Sequence, residues 1–252
     1  MKIHYTEQYL LSPQHPVTVA LIGCGGTGSS VLTGLARLDA ALIMLGHPGL
    51  FVAVYDPDIV EEHNIGRQMF SPSDVGHSKA AILTSRINRA YGLNWDSVPA
   101  KYCEQDDRMN IMITCVDNAK TRMEIQEMLH SESGNGYRYR PYQKHYYWLD
   151  FGNSKSSGQV VIGTVREIEQ QNGGKPTLPT IIELYGKQLT DDPQEPSCSF
   201  AASLQHQDLF INSTLANLGL NLLWSMFRDM KLTIHGFFLN LSPLQINSIN
   251  IC

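Results

Sequence analysis

Apolar positions along the chain follow two rhythms. "VTVALIG" (17–23), "LFVAVYD" (50–56) and "NIMITCVDN" (110–118) are short runs, apolar at consecutive positions and closed by glycine or polar residues. A strand buried on both faces of a parallel sheet has that pattern. Between them, "GTGSSVLTGLARLDAALIML" (26–45), "SKAAILTSRINRAYG" (78–92) and "AKTRMEIQEMLH" (119–130) place apolar residues at helical spacing, and Gly92 marks a helix end. Strands alternating with helices predict a doubly wound α/β sheet.

The rhythm changes after residue 130. "SESGNGYRYRPYQ" (131–143) is polar and glycine-rich and reads as a loop. "HYYWLDFGN" (145–153) and "GQVVIGTV" (158–165) read as two strands around the turn "SKSS". Residues 169–197 carry much of the chain's proline and acid and read as a long, mobile surface excursion. Residues 199–230 are apolar and helical, and "HGFFLNLSPLQINSINI" (235–251) alternates enough for one or two strands. A helix apolar on most sides, as over 209–227, is either core or interface.

Composition narrows the class. With 252 residues and 42% hydrophobic positions, the chain can build one large domain. Charged residues are 17% and the formal net charge is −5, which argues against a nucleic-acid surface. The five cysteines are scattered with no C-x-x-C pair, so no zinc site is expected and the thiols read as reduced, in a cytosolic protein. The first residues lack the apolar core of a signal peptide, and the most apolar stretch, 40–55, is too interrupted to span a membrane. The expectation is a soluble cytoplasmic protein that engages neither nucleic acid nor membrane.

Candidate chemistry begins at "GCGGTGSS". Gly23, Gly25, Gly26 and Gly28, with Thr27 among them, form G-x-G-G-x-G between a strand and a helix. Glycines permit the tight turn, and the helix N-terminus favours an anion. The phosphate could belong to NAD, FAD or ATP. Asp56, at the end of the second strand, can hold a ribose in any of these. The next stretch, "YDPDIVEEHNIGRQMFSPSDVGHSKA", adds Arg67 and Lys79 as cations and Asn64 and Gln68 as neutral donors. Transfer at an α-phosphate needs such groups, because charge accumulates in its transition state and pyrophosphate leaves as a polyanion. Each cation alone would read as ordinary solvated charge; the ordered set behind a phosphate loop does not.

"GCGGTGSS", "YDPDIVEEHNIGRQMF", "GHSKA" and "TCVDN" together resemble the motif series of the ThiF/MoeB superfamily, the ATP-dependent activators of ubiquitin-like and sulfur-carrier proteins. The resemblance is firm over 15–130. Through "YWLDFGNSKSSGQV", "PSCSFA" and "QDLFINSTLANLGLNLLW" it extends over nearly the whole chain toward the ThiF-type proteins of the plasmid-associated PRTRC cassette. It implies one domain over 1–252, with a nucleotide-binding half at 15–130 and a substrate-binding and dimerisation half at 131–252. The implied fold is Rossmann-like: a mostly parallel sheet with helices on both faces, extended by C-terminal antiparallel strands.

The resemblance also implies an activity and residue roles. The enzyme would adenylate the C-terminal carboxylate of a small ubiquitin-like β-grasp protein with a glycine-containing tail, releasing pyrophosphate. Amides around Gly25 to Gly28 cradle phosphate, Asp56 holds the ribose, and Asn64, Arg67, Gln68 and Lys79 contact the triphosphate. Asp117, in "VDN", holds Mg²⁺; its other reading is an N-cap of the helix that follows. Cys198 is the candidate nucleophile for a thioester step, against a packing role at a loop–helix junction. Such relatives form homodimers, and a conjugating-enzyme-like protein or direct transfer would take the acyl group onward. Cys24 and Cys115 read as packing residues. Three departures stand out: there are no paired zinc cysteines, no arginine precedes Arg37 where relatives insert an N-terminal arginine into a neighbour's site, and no large cysteine domain is present. From the residues themselves, an NAD- or FAD-dependent oxidoreductase and a nucleotide-binding module without chemistry remain the alternatives.

Overall fold

The run Val17–Ile22 forms a central strand, and its alternation organises the molecule. Val19 and Leu21 point into one core layer, Ala20 and Ile22 into another, so both faces must be covered. The computed structural model describes residues 2–66, 68–103, 109–133, 140–187 and 208–252. In chain order the elements are β1 (His4–Tyr5), α1 (Gln8–Leu11), β2 (Val17–Ile22), α2 (Gly26–Met44), β3 (Leu50–Tyr55), α3 (Lys79–Tyr91), β4 (Asp96–Val98), β5 (Ile111–Thr114), α4 (Ala119–Ser133), β6 (Tyr147–Asn153), β7 (Ser157–Thr164), α5 (Ile181–Tyr185), α6 (Ile211–Arg228), β8 (Lys231–Leu232), β9 (Ile234–Leu241) and β10 (Leu244–Asn250).

Eight strands form one sheet in the order β10-β9-β7-β6-β5-β2-β3-β4, and β1 pairs with β8 apart from it. From β6 to β4 every pairing is parallel; β6–β7, β7–β9 and β9–β10 are antiparallel. Residues of α2, α3 and α6 pack on the Val19 side, among them Leu35, Leu83 and Leu215. Residues of α4 and α5, including Ile125 and Ile181, pack on the Ala20 side. This is the Rossmann-like, doubly wound sheet with an antiparallel extension. After β2 the chain winds outward through β3 to β4, then returns to place β5 on β2's other edge. The crevice at that reversal, outside the carboxyl ends of the strands, is where such sheets bind ligands.

Helix ends follow local chemistry. Ser78 caps α3 by accepting from the Ala81 amide at 3.3 Å, and Gly92 closes it in the left-handed region at φ 69°. α6 packs along α2 and under β6, β7 and β9. Its Leu215, Ala216, Leu223 and Met226 are fully buried, each large side chain contributing roughly 2 kcal/mol by burial. Among the described contacts α6 is therefore a core element.

Several expectations need correction. The excursion expected from residue 169 is tied into the fold as far as 187: Lys175 N–H donates to Ile3 O at 2.7 Å, Thr164 N–H to Leu178 O at 2.8 Å, and Leu178 and Ile181 are buried. Residues 188–197 lie outside the described residues. β5 stops at Thr114, so Cys115 is not in the strand but half-buried just beyond it. β4, three largely exposed residues at a sheet edge, has no counterpart in the sequence reading. No described helix is long and apolar enough to cross a membrane.

Candidate functional site

A cavity of about 900 Å³ opens at the carboxyl ends of β2, β3, β5 and β6. Its floor is the glycine loop. Gly23 ends β2 at φ +95°, a left-handed conformation that glycine adopts without penalty. A Cβ at Gly28 would overlap the Gly23 carbonyl, so this glycine is what lets the first turn of α2 sit down on the loop. Gly25 caps α2 with no side chain and open space where a Cβ would be. Gly23, Gly25, Gly26 and Thr27 all line the cavity, with the positive end of α2 behind them.

Asp56 stands beside the loop and is buried. Its Oδ2 accepts the Cys24 amide at 2.5 Å and its Oδ1 accepts the Asp58 amide at 2.9 Å. Each oxygen keeps a second lone pair for a ligand hydroxyl. Burial pushes the Asp56 carboxyl up, opposed by the two amides and by Lys79. Cys24 is fully buried, and burial beside Asp56 holds its thiol well above the ordinary range, as suits a packing residue.

Lys79 is the first residue of α3, and its Nζ sits 2.9 Å from Oδ2 of the exposed Asp58. Both line the cavity. Gln68 lines it too, and its buried Oε1 has no partner among the described residues. An acceptor there suits a ligand hydroxyl or N–H; the phosphate role expected for Gln68 needs its Nε2 group instead. Asn64 is placed differently. It is buried, its Oδ1 accepts the Glu61 amide at 2.9 Å, and it closes the capping box of a short 3-10 turn, off the cavity lining. Arg67 and Cys198 lie outside the described residues.

On the opposite side, Asp117 is exposed and lines the cavity. The cap of α4 belongs to its neighbour: Asn118 Oδ1 accepts the Thr121 amide at 2.8 Å, and Asn118 Nδ2 donates to Asp117 Oδ1 at 3.2 Å. The N-cap reading of Asp117 is thereby replaced, because Asn118 already fills that role.

The lining residues that the sequence reading did not single out include Tyr102, Arg122, Asn153 and Asn212. Tyr102 meets Tyr55 edge-on with ring centroids 4.9 Å apart, giving the Asp56 end an aromatic wall. Arg122 is buried in the first turns of α4, where a cation opposes the helix dipole; that misfit was the available signal. Its partner is Asp150 of β6, fully buried, at 2.8 Å. Asn212 Oδ1 accepts from Thr27 Oγ1 at 2.9 Å and from Asn153 Nδ2 at 2.8 Å, joining the start of α6 to the glycine loop and β6. The lining also falls into two sets along the sequence. The charged residues of the described lining all fall between Asp56 and Glu124, whereas from Gly152 onward that lining is uncharged, with Gln159, Asn240, Gln245 and Asn247 supplying carboxamides.

Comparisons with known proteins bear on the family and the fold. Ubiquitin-like modifier-activating enzyme 5 of Oryza sativa subsp. japonica is 31% identical over 129 residues, covering 44% of this chain and 28% of that protein. Ubiquitin-like modifier-activating enzyme 6 of Mus musculus is 26% identical over 208 residues, covering 75% of this chain and 17% of that protein. The chain thus spans less than a third of the length of these relatives. Among solved structures, PaaA superposes with a TM-score of 0.59 at 15% identity, over 93% of this chain and 64% of that one. E. coli MccB, crystallised with ATP, superposes with a TM-score of 0.56 at 14% identity, over 93% of this chain and 63% of that one. At such identities the superpositions show the fold alone. The sequence profile of the ThiF family matches residues 11–247, and the chain belongs to the ThiF family.

Proposed function

We propose that this protein catalyses ATP-dependent adenylation of the C-terminal carboxylate of a small ubiquitin-like protein. The observation that carries the reading is that one cavity is lined by two chemistries. A glycine loop at a helix N-terminus comes together with Lys79 and Asp117, and the residues contributed from Gly152 onward are uncharged and rich in carboxamides. The first suits a triphosphate and the second an extended peptide tail read through its backbone. Relatives that are named ubiquitin-like modifier-activating enzymes, and MccB crystallised with ATP and with MccA, support the same reading.

In the reaction, a carboxylate oxygen of the tail attacks the α-phosphorus. The bond from that phosphorus to its bridging oxygen breaks, and the electron pair leaves with pyrophosphate. The loop amides and the α2 N-terminus hold the phosphates, and Lys79 moves from Asp58 onto the developing charge. Asp56 and the Tyr102 wall orient the ribose and base. Asp117 is an exposed carboxylate on the lining, and a magnesium site built from one carboxylate plus substrate phosphates fits it. Bound there, Mg²⁺ would neutralise phosphate oxygens. Arg67 completes the triphosphate contacts. The Cys198 thiol, losing its proton to solvent, attacks the acyl carbon of the adenylate; the acyl C–O bond breaks and AMP leaves with its electron pair, giving a thioester from which a conjugating-enzyme-like partner or a direct acceptor receives the acyl group. The protein acts in the cytoplasm as a homodimer of the PRTRC-associated ThiF type.

The test is ATP–pyrophosphate exchange by the purified chain with small glycine-ended proteins encoded in the same genetic neighbourhood. Exchange that depends on one such protein is expected. A flavin or nicotinamide bound in the cavity, or ATP bound tightly without exchange for any candidate, would overturn the reading.

A further inference from the structure

We propose that Arg122 is a positioning residue that fixes Asp117 for metal and phosphate; the inference rests on the adenylation reading above. Asp117 sits in a short turn between the end of β5 and the start of α4, and its side chain is exposed. The Asp117 carboxylate accepts from Asn118 Nδ2 at 3.2 Å, but that bond lies within the turn and does not fix the turn itself. Arg122 does so from below. Its Nη2 donates to the Val116 carbonyl at 2.7 Å and its Nη1 to the Asn118 carbonyl at 3.3 Å. One guanidinium therefore grips the backbone on both sides of Asp117. The same Nη2 donates to Phe151 O at 2.9 Å and Nε donates to Asp150 Oδ1 at 2.8 Å, which fastens the turn to β6. Behind Asp150, Thr114 Oγ1 donates to its Oδ1 at 2.5 Å, and Trp148 Nε1 donates to Thr114 Oγ1 at 2.8 Å.

Stability alone does not account for this arrangement. A buried ion pair is weak evidence of stabilisation, since desolvation of both charges offsets their attraction, and a cation near a helix N-terminus works against the dipole. What the guanidinium supplies is geometry. A planar fork with five donors can serve three carbonyls and a carboxylate at once, whereas a lysine ammonium on a flexible stem cannot. The groups that orient a metal ligand from behind commonly set metal affinity, with losses of about 10–100-fold when they are removed.

The test uses the full chain without a partner protein. Binding of Mn²⁺ in the presence of a non-hydrolysable ATP analogue is followed by electron paramagnetic resonance, the affinity for the analogue without metal by calorimetry, and folding by thermal melts. For Arg122→Lys we expect a cooperative melt, metal-free analogue affinity within about 2-fold of wild type, and Mn²⁺ half-saturation raised at least ~10-fold, as for Asp117→Asn. Thr114→Val removes only the hydroxyl behind Asp150. It should raise half-saturation by a smaller factor, about 3-fold, and it carries the test if Arg122→Lys does not fold. Wild-type Mn²⁺ binding in a folded Arg122→Lys protein, or in Thr114→Val where that variant stands in, would overturn the inference while sparing the adenylation reading. A wild-type chain that binds neither analogue nor metal would overturn both.

Discussion

The backbone amide of Cys24 donates to Oδ2 of Asp56 at 2.5 Å, so the acid ending one strand holds the glycine loop ending its parallel neighbour. The other oxygen of Asp56 holds the Asp58 amide, where the "DPDIV" segment leaves the sheet. Asp56→Ala strips an acceptor from both amides, at about 1–3 kcal/mol for the buried Cys24 donor left unpaired. We expect a lower melting temperature and at least ~10-fold weaker binding of an ATP analogue by calorimetry, the loop and the ribose contact failing together. A variant that melts like the wild type would show that other bonds hold the loop.

The glycines of the loop separate into two kinds. At Gly28 a Cβ would run into the Gly23 carbonyl, backbone against backbone, and nothing flexible can yield. Gly28→Ala should therefore lose at least about 2 kcal/mol of stability, as overpacked sites do. At Gly25 a Cβ meets nothing within 4 Å, so no neighbouring atom stands in the way of alanine. Gly25→Ala should melt like the wild type and bind an ATP analogue at least ~10-fold more weakly, because the methyl occupies the approach to the loop amides. Equal melts with equal binding would mean that no phosphate comes to Gly25.

Much of this was legible in the sequence because it is local. A doubly buried run followed by spaced glycines needs only β2, its loop and α2 to be recognised, and Gly92 announces the end of α3 by its own φ. The rest depends on partners far away. Arg122 meets Asp150 across 28 residues, and Asn212 meets Thr27 across 185. β4 is too short and exposed to show a period, and 169–187 looked like a free excursion because the carbonyl that holds Lys175 belongs to Ile3. Asn64 sat in the right motif, but its Oδ1 is engaged by the turn that carries it, a competition between capping and ligand binding that spacing does not reveal.

Acid should loosen the segment that follows Gln68. Burial works against the charge on Asp74, but hydrogen bonds from Arg86 and Ser71 outweigh it and hold the carboxyl below the usual carboxylate range. Arg86 reaches Asp74 at 2.6 Å and also Met69 O at 2.9 Å. A folded pKa below the unfolded value of about 3.9 means that the unfolded chain binds the proton first. The contribution is thus complete above that value and disappears as pH falls through it toward the folded pKa. Asp74→Asn keeps the cap on Ser71 and loses the charge. It should cost on the order of 2 kcal/mol at pH 7, with the gap from wild type closing below about pH 4 in melts run across pH. A gap that is the same at every pH would assign the effect to packing.

Asp117 and Asn118 are adjacent, both line the cavity, and the structure gives them different work. Asn118 caps α4 through the Thr121 amide, whereas Asp117 is exposed. Losing an N-cap costs about 1 kcal/mol, so Asn118→Ala should melt lower while keeping pyrophosphate exchange within about 10-fold of wild type. Substituting an exposed side chain changes stability by roughly 0.5 kcal/mol or less, so Asp117→Ala should melt like the wild type and lose exchange by at least ~100-fold. Measured side by side, the two variants separate holding the helix from holding the metal and phosphate. The reverse pattern, an unstable Asp117→Ala protein with intact exchange, would make Asp117 a structural residue and remove the carboxylate on which the proposed magnesium site depends.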